Sequence, residues 1–381
     1  MQLEYEIPTR VLLGKDVLAE NAALVTGLGS GALVVIDGEM ERSHPALEEV
    51  LYCLELNGVS RTLFHQTKKD APGISGLEAG AALAREASVD FVIAVGSNAT
   101  LEAGKAIALL CAQPIDSATL LVRAVPRRIP VVCVPVTFGG GSEVTPVVHV
   151  AQTGIDHFTR VSNRLLAPHL ALLDARYAES MTREEIRDSY LITLGRTIDA
   201  IASEKANPIS DAIAIATLGS ISDLVSIMRE ENHEFTTQDL ERLMLASNQS
   251  GLAQSLAGGS ALEALASPLT YVSDLTSGQA FGLMIPPFVA WLESRSPIVG
   301  DVIIDSLYMK TLDVLEEFLW DVVGPVTPLS SEDIERAADS AGSTPGIKSS
   351  VLSLDPQDIS SCYAHLQADE EEEKEASDAQ E

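Results

Sequence analysis

Short apolar runs that suit β-strands alternate with segments of helical spacing through the first half of this 381-residue chain. Gly31 to Asp37 is a nearly continuous apolar run that predicts a buried strand, and Ala46 to Leu56 follows with apolar residues at helical intervals. The alternation continues with strands predicted at 60–64, 90–95, 130–134 and 170–174, and with helices predicted at 77–87 and 101–111. Repeated units of this kind form a parallel sheet with helices on both faces. The sequence therefore predicts an α/β domain over residues 1–176.

The pattern changes after about residue 176, where Ala, Leu and Ile recur at helical spacing and β-branched runs are few. Thr182 and Glu185 have the spacing of a capping box, in which the two side chains satisfy each other's backbone amides at a helix start. A second, all-helical domain is expected over residues 177–366. Its helices are predicted at 183–204, 208–229, 237–258 and 261–266, with shorter ones beyond.

The chain is strongly acidic, with 55 Asp and Glu against 25 Lys and Arg and a formal net charge of -30. This charge repels the phosphates of nucleic acids and of anionic membranes, so both are excluded as partners. Part of the excess lies in residues 367–381, where a block of like charges predicts a disordered, solvated tail. The tail either keeps the protein soluble, which is the commoner role of such a run, or docks on a basic partner.

The expected location is the cytoplasm. No apolar stretch approaches the roughly 20 residues that a membrane-spanning helix needs. Residues Met1 to Glu6 lack the basic and apolar regions of a secretory signal. The cysteines are too widely spaced to suggest a disulfide framework or a zinc knuckle; they are Cys53, Cys111, Cys133 and Cys362.

Two small-residue turns follow predicted strands and are candidates for ligand binding. Gly96-Ser97-Asn98-Ala99 leads directly into a predicted helix, whose first amides and dipole favour a phosphate, although an ordinary βα turn has the same composition. The second turn, within residues 135–145, contains Gly139-Gly140-Gly141. Consecutive glycines mark either a close approach of the backbone to a ligand or an unusual turn.

The segment from Pro135 to Thr145 resembles the P-T-T-A-G-T-G-S-E-V-T segment of the iron-dependent alcohol dehydrogenases, with eight identities and no gap. Residues 90–107 resemble the family's D-x-x-I-A-I-G-G-G-S-x-x-D-x-x-K-A-I segment. Residues 205–212 are similar to its K-A-N-P-x-x-D-A element. The resemblance extends from the N-terminus to about residue 290. It implies the dehydroquinate synthase-like fold of that family: a Rossmann-like dinucleotide-binding domain followed by a helical domain.

The resemblance also implies NAD(H) or NADP(H) as cofactor. Asp37, at a strand end, would meet the adenosine ribose and favour NAD over NADP. The phosphate turn departs from the family's G-G-G-S, because side chains replace two of its glycines. The cofactor-binding residues implied are Asp37, Gly96, Ser97, Asn98, Thr137, Ser142 and Thr145.

The family's metal ligands are an Asp and a His on one helix and two further histidines, and none of them is found here. Counting from Lys205-Ala206-Asn207-Pro208 places the first two ligand positions at Ile192 and Arg196. Pro268-Leu269, and Gly278 with Pro286, place the other two at Glu263 and Ser277, and a histidine near the nicotinamide at Ser267. Isoleucine has no donor atom and arginine stays protonated, so no metal is expected. Arg196 is expected to pair with Glu263 or with a substrate carboxylate.

Two functions from different classes remain open. The first is a metal-independent, NAD(P)-linked oxidoreductase in which Arg196 polarises a carbonyl, Ser267 or Ser277 assists and Glu263 completes the site. The second is a catalytically inactive family member that serves as a scaffold, regulator or assembly subunit. The first implies a small-molecule substrate and the second a protein partner. The resemblance implies a homo-oligomer in either case.

Overall fold

A computed structural model describes residues 4–38, 40–67, 71–113, 127–152 and 158–366. The chain divides into two compact units. Of the described residues, the first unit comprises those up to 189 and those at 234–256, and the second comprises 190–233 and 257–366. The change of sequence pattern near residue 176 thus precedes the boundary between the units, which lies inside the helix Arg183–Ile201. Most of a later helix, Thr237–Ala257, belongs to the first unit. The predicted acidic tail at 367–381 lies outside the described residues.

The first unit is built on a six-stranded sheet in the order β1-β8-β5-β4-β2-β3, with every neighbouring pair parallel. The predicted parallel α/β sheet is confirmed. A separate antiparallel pair, β6 and β7, was not predicted. The strands are β1 (Arg10–Leu13), β2 (Gly31–Asp37), β3 (Ser60–Gln66), β4 (Phe91–Gly96), β5 (Val131–Pro135), β6 (Val147–Val150), β7 (Thr159–Ser162) and β8 (Leu170–Leu173).

Helices cover both faces of this sheet because alternate strand residues point to opposite sides. Val92 and Ala94 of β4 belong to a core that includes the two helices preceding and following that strand. Ile93 and Val95 belong to a second core with the helices near the N-terminus. The helices are α1 (Val17–Glu20), α2 (Ala22–Thr26), α3 (Pro45–Leu56), α4 (Ile74–Glu86) and α5 (Asn98–Cys111). Every residue of α5 from Ala99 to Leu110 is buried, so this helix is surrounded by protein.

The remaining helices lie within the region that was predicted to be all-helical. They are α6 (Arg183–Ile201), α7 (Pro208–Ser222), α8 (Val225–Arg229), α9 (Thr237–Ala257), α10 (Ala261–Ala266), α11 (Leu269–Val272), α12 (Ser277–Arg295), α13 (Pro297–Ser306), α14 (Leu312–Val323), α15 (Ser331–Ser343) and α16 (Pro356–Tyr363). One prediction was wrong, since the single helix expected over 208–229 is broken between α7 and α8. Ser222 and Asp223 lie at the break, and both have low helix propensity.

Local signals in the sequence fix several helix starts. The predicted capping box before α6 is confirmed: the Thr182 amide donates to Glu185 Oε2 at 2.8 Å, and the Glu185 amide donates to Thr182 Oγ1 at 3.2 Å. Asn207 and Ser210 form a second capping box at α7. The four cysteines form no disulfide. Among the described residues, no helix combines the length and hydropathy needed to cross a membrane.

Candidate functional site

The turn between β4 and α5 is held by Asp37, which ends the neighbouring strand β2. Its carboxylate accepts hydrogen bonds from the Ser97 amide at 2.9 Å and from Ser97 Oγ at 2.7 Å, and a third from Thr100 Oγ1. Gly96 has φ +156°, and a Cβ there would lie 2.6 Å from Asp37 Oδ2. Glycine at position 96 is therefore required by the close approach of this carboxylate. The structure thus brings together Asp37, Gly96 and Ser97.

The side chains that replace the family's glycines are tied to the protein itself. Ser97 Oγ donates to Asp37, and the Asn98 amide group donates to the carbonyl oxygen of Gly139. Ser97 is the N-cap residue of α5 but makes no side-chain capping bond to that helix. The first amides of α5 thus keep the orientation that binds an anion at a helix N-terminus. The residues present fit the pyrophosphate of a dinucleotide.

The glycine-rich segment has a different explanation from the close approach to a ligand considered above. Gly139, Gly140 and Gly141 have φ values of +110°, +93° and +60°. A Cβ on Gly141 would lie 2.7 Å from Gly251 Cα, and one on Gly139 would lie 3.0 Å from Ser189 Cα. The segment therefore needs glycine because it packs directly on the backbone of α6 and α9.

Two residues of α9 complete this contact and were missed from the sequence. Ser247 Oγ accepts hydrogen bonds from the Gly139 amide at 2.8 Å and from the Gly141 amide at 3.2 Å. Gly251 lies one turn later and offers no side chain. The spacing of Ser247 and Gly251, four residues apart on one helix face, was the only signal in the sequence.

Buried polar groups lie directly beneath the glycine-rich segment. Lys105 Nζ donates to the carbonyl oxygens of Ser142 at 2.8 Å and Thr145 at 3.1 Å. Ser142 Oγ donates to Glu102 Oε1 at 3.2 Å. Ser142 and Thr145, both expected to contact the cofactor, are buried supports of the segment here, while Thr137 is half-buried at its start. Their direct contact with a dinucleotide remains a prediction.

A second buried contact joins helix α5, which carries Glu102 and Lys105, to strand β6. Glu102 accepts from the His149 amide at 2.7 Å, and His149 Nδ1 lies 3.0 Å from Glu102 Oε1. Glu143 accepts from Asn248 Nδ2 at 2.8 Å. Glu102 and Lys105 stand at the D-x-x-K positions of the resembling segment; the sequence analysis did not single them out, although this match was a signal that could have done so. Nothing in the sequence indicated the part played by His149.

In the second unit, Arg196 and Glu263 form the expected ion pair. Arg196 Nη2 lies 3.1 Å from Glu263 Oε1, and the two side chains are 10% and 14% exposed. Arg196 comes from α6 and Glu263 from α10, so the pair links two helices. Because the pair is buried, removing one partner should cost much more stability than removing one partner of an exposed ion pair.

Asp199, which the sequence did not single out, fastens the same two helices. Its carboxylate accepts from the Leu262 amide at 2.7 Å and from the Glu263 amide at 3.0 Å, both at the start of α10. The pKa of Asp199 is raised to about 7, chiefly by burial and also by the negative charge of Glu263, while the two amide hydrogen bonds and Arg196 act in the opposite direction. The two amide hydrogen bonds satisfy both carboxyl oxygens of Asp199 inside the protein.

The other residues expected in this site lie on the same or neighbouring elements. Ile192 is half-buried, one helical turn before Arg196 on α6. Ser267 follows α10 directly, and its amide donates to the Glu263 carbonyl oxygen at 2.8 Å. Ser277 begins α12, after the N-cap Thr276. The structure joins Arg196 with Glu263; the participation of Ser267 and Ser277 in chemistry remains a prediction.

These positions do not fit a divalent metal. Ile192 supplies no donor atom, Arg196 stays protonated, and the carboxylate of Glu263 is bound to that guanidinium. Across the described ranges, no group of three or more His, Cys, Asp and Glu has an arrangement that could hold a metal ion. The donors that divalent iron or zinc requires are therefore not supplied by this cluster.

The parallel α/β sheet, the turn at the start of α5 and the helices that follow agree with the fold that the family resemblance implied. A profile of the family described as iron-containing alcohol dehydrogenase matches residues 8–175. Over these residues, which are less than half of its length, the chain is similar to that family. It is 28% identical over 235 residues to the probable alcohol dehydrogenase EutG of Salmonella typhimurium, a match that spans 61% of this chain and 59% of EutG.

Solved structures extend the likeness in fold to almost the whole chain. The iron-containing alcohol dehydrogenase of Thermotoga maritima has a TM-score of 0.86 and 24% identity, covering 95% of this chain and 99% of that one. Sulfoacetaldehyde reductase from Bifidobacterium kashiwanohense, solved in complex with NAD+, has a TM-score of 0.79 and 21% identity, covering 97% and 99%. The predicted fold class is confirmed.

Proposed function

We propose that this chain is an NAD(P)-linked oxidoreductase that works without a metal at the positions where its family holds one. The observation that carries the proposal is the turn before α5, where Ser97 and Asn98 are bonded to the protein and leave the first helical amides oriented toward an anion. Neither substitution of glycine therefore argues against a dinucleotide. The reductase solved with NAD+ supports the same cofactor class.

Asp37 favours NAD(H) over NADP(H). It accepts three hydrogen bonds, and a carboxylate offers about four acceptor positions, so one ribose hydroxyl can still donate to it. A phosphate on that hydroxyl would face the carboxylate as a like charge. When bound, the nicotinamide supplies or accepts the hydride; the residues of this chain bind the cofactor and orient it.

Arg196 supplies the positive charge that would otherwise come from a metal. Its guanidinium is always protonated, and its planar donors suit a carbonyl oxygen or a carboxylate. Glu263 holds the guanidinium in place. In this proposal Arg196 polarises the substrate carbonyl and a hydroxyl of Ser267 or Ser277 donates a hydrogen bond to the developing oxyanion.

A non-catalytic role is the second candidate, and the Arg196–Glu263 pair itself favours it. A carboxylate 3.1 Å from the guanidinium neutralises much of the charge available to a substrate. A divalent ion stabilises transition-state charge by several kcal/mol, and a neutralised arginine supplies less. In that case the chain serves as a scaffold, regulator or assembly subunit, and its important feature is a protein-binding surface.

Titration with NADH and NADPH separates the two candidates. Binding is followed through the fluorescence of Trp291 and Trp320 and checked by calorimetry, with metal content measured on the same sample. Micromolar binding without stoichiometric metal supports the oxidoreductase, and a screen of carbonyl substrates then follows. The absence of binding at millimolar nucleotide would exclude it and direct the search to protein partners.

A cytoplasmic location and a homo-oligomeric state complete the proposal. Both follow from the sequence and its family resemblance. Light scattering on the purified chain measures the mass of the particle in solution, and a monomeric mass at all concentrations would contradict the oligomer.

A further inference from the structure

The cluster around Arg196 joins two helices that the family joins through its metal. By the resemblance, the family's ligands come from the helices corresponding to α6, α10 and α12, so the ion fastens these helices together. In this chain the ligand positions on α6 and α10 carry opposite charges that contact each other at 3.1 Å. The side chains at the metal positions were replaced by groups that can bind each other directly.

We propose that the Arg196–Glu263 ion pair has taken over the structural task of the metal, fastening α6 to α10 so that the helical unit holds its fold without a divalent ion. The proposal does not depend on catalysis, and it applies to both candidate functions. Its starting point is the disagreement between the family's donor set and the residues present.

Asp199 contributes a second connection between the same helices. It lies less than one turn after Arg196 on α6 and binds the first amides of α10, which carry Glu263. The start of α10 is thus positioned from α6 independently of the Glu263 side chain. Helix α6 therefore contacts α10 twice, through the Arg196 guanidinium and through the Asp199 carboxylate, and the Asp199 contact positions Glu263 beside Arg196.

Neighbouring contacts keep α12 against the same part of α6. A Cβ on Gly195 would lie 2.2 Å from Phe281 Cδ1, and one on Gly282 would lie 3.2 Å from Leu191 Cδ1. The absence of side chains at Gly195 and Gly282 therefore allows α6 and α12 to pack closely. Direct packing thus connects α12, and the ion pair connects α10.

A double-mutant cycle on the full chain tests the proposal by thermal unfolding. The variants are Arg196→Met, Glu263→Gln and the two combined. Each single change removes the oppositely charged group 3.1 Å from a buried charge, so we expect the melting temperature to fall by roughly 5 °C or more. The combined change leaves neither charge, so we expect it to recover much of that loss. The exposed pair Arg61–Glu55, with side chains 37% and 71% exposed, is the matched control and should show almost no change.

Metal dependence provides the second measurement. The melting temperature of the unaltered chain should not change with EDTA or with added Zn²⁺. The variant Arg196→His with Glu263→His converts the pair into two imidazoles, and Zn²⁺ should raise its melting temperature or restore its folding. A loss of stability of the unaltered chain in EDTA, single variants no worse than the control pair, or a double-histidine variant unresponsive to Zn²⁺ would each overturn the proposal.

Discussion

The carboxylate of Asp37 binds both the backbone amide and the hydroxyl of Ser97, across two neighbouring strand ends. Asp37 therefore holds the turn before α5, and in the proposed function the same carboxylate also meets the adenosine ribose. The serine that replaces a family glycine at position 97 and the acidic residue Asp37 on β2 therefore have to be interpreted together. In the proposed function, Ser97 is compatible with a dinucleotide because its hydroxyl donates to Asp37.

Asp37→Asn should weaken NADH binding more than NADPH binding. The donors of Ser97 and Thr100 now share the two carboxylate oxygens of Asp37, whereas asparagine has only one acceptor oxygen and no charge. At least one charge-assisted hydrogen bond to the turn is therefore lost. We expect the dissociation constant for NADH to rise about tenfold, with a smaller change for NADPH because a repulsive charge is removed as well. Asp90→Asn is the matched control, since Asp90 also accepts from backbone amides, those of Ser30 and Gly31. Equal weakening for both nucleotides would contradict the role of Asp37 in selectivity.

Gly141→Ala should destabilise the first unit strongly. The substitution combines a positive φ of +60° with a Cβ placed 2.7 Å from Gly251 Cα, so about 3 kcal/mol of unfolding free energy should be lost. Gly58→Ala isolates the conformational part, because Gly58 has φ +69° and nothing within 4 Å of its Cβ position. That control should lose about 1 kcal/mol. Urea unfolding measures both, and equal losses would show that contact with Gly251 is unimportant.

The parts of this fold that could be predicted depend on local patterns. The strand at residues 31–37 and the helix at residues 261–266 have the predicted bounds, since a buried apolar run and a helical apolar spacing are both visible within a few residues. The ion pair was one of the two alternatives expected for Arg196, because the family resemblance aligned Arg196 and Glu263 to positions that bind the same metal ion.

The parts that could not be predicted depend on contacts distant in sequence. Ser247 caps no helix and lies in a long helix of unremarkable composition, yet it binds amides more than a hundred residues away. Asp199 looks like an ordinary helical aspartate until α10 is placed beside it. The β6–β7 pair consists of four-residue strands that carry too little periodicity to be recognised.

Asp199 should give the chain a stability that falls as pH rises toward neutrality. Burial raises its pKa to about 7 in the folded state from a model-peptide value of 3.8. Between these values the folded state binds a proton that the unfolded state has lost, so the contribution is complete at low pH and declines up to about pH 7. The slope should approach about 1 kcal/mol per pH unit within this range.

The measurement is urea unfolding between pH 5 and pH 8, with Asp199→Asn compared at each pH. The asparagine variant removes the titrating group, so the difference in unfolding free energy between the two proteins should vary with pH in this direction. Asp211→Asn is a control for a much less buried aspartate in the same unit, whose pKa is raised by burial as well. A difference that stays constant with pH would show that Asp199 remains ionised throughout.

Arg196→Met should separate binding from chemistry in the proposed oxidoreductase. The dinucleotide is held by residues of the first unit in this proposal, so the dissociation constant for NADH should change little. Polarisation of the substrate carbonyl is lost, and kcat for carbonyl reduction should fall by about 100-fold or more. Arg229→Met is the matched control, because Arg229 also pairs with carboxylates, Glu317 and Asp321, but is 38% exposed. Arg196→Lys retains the charge without the planar donors, so partial activity in that variant would assign the effect to charge. Full activity in Arg196→Met with intact NADH binding would remove Arg196 from the mechanism and leave the hydroxyls of Ser267 and Ser277 as the groups to examine next.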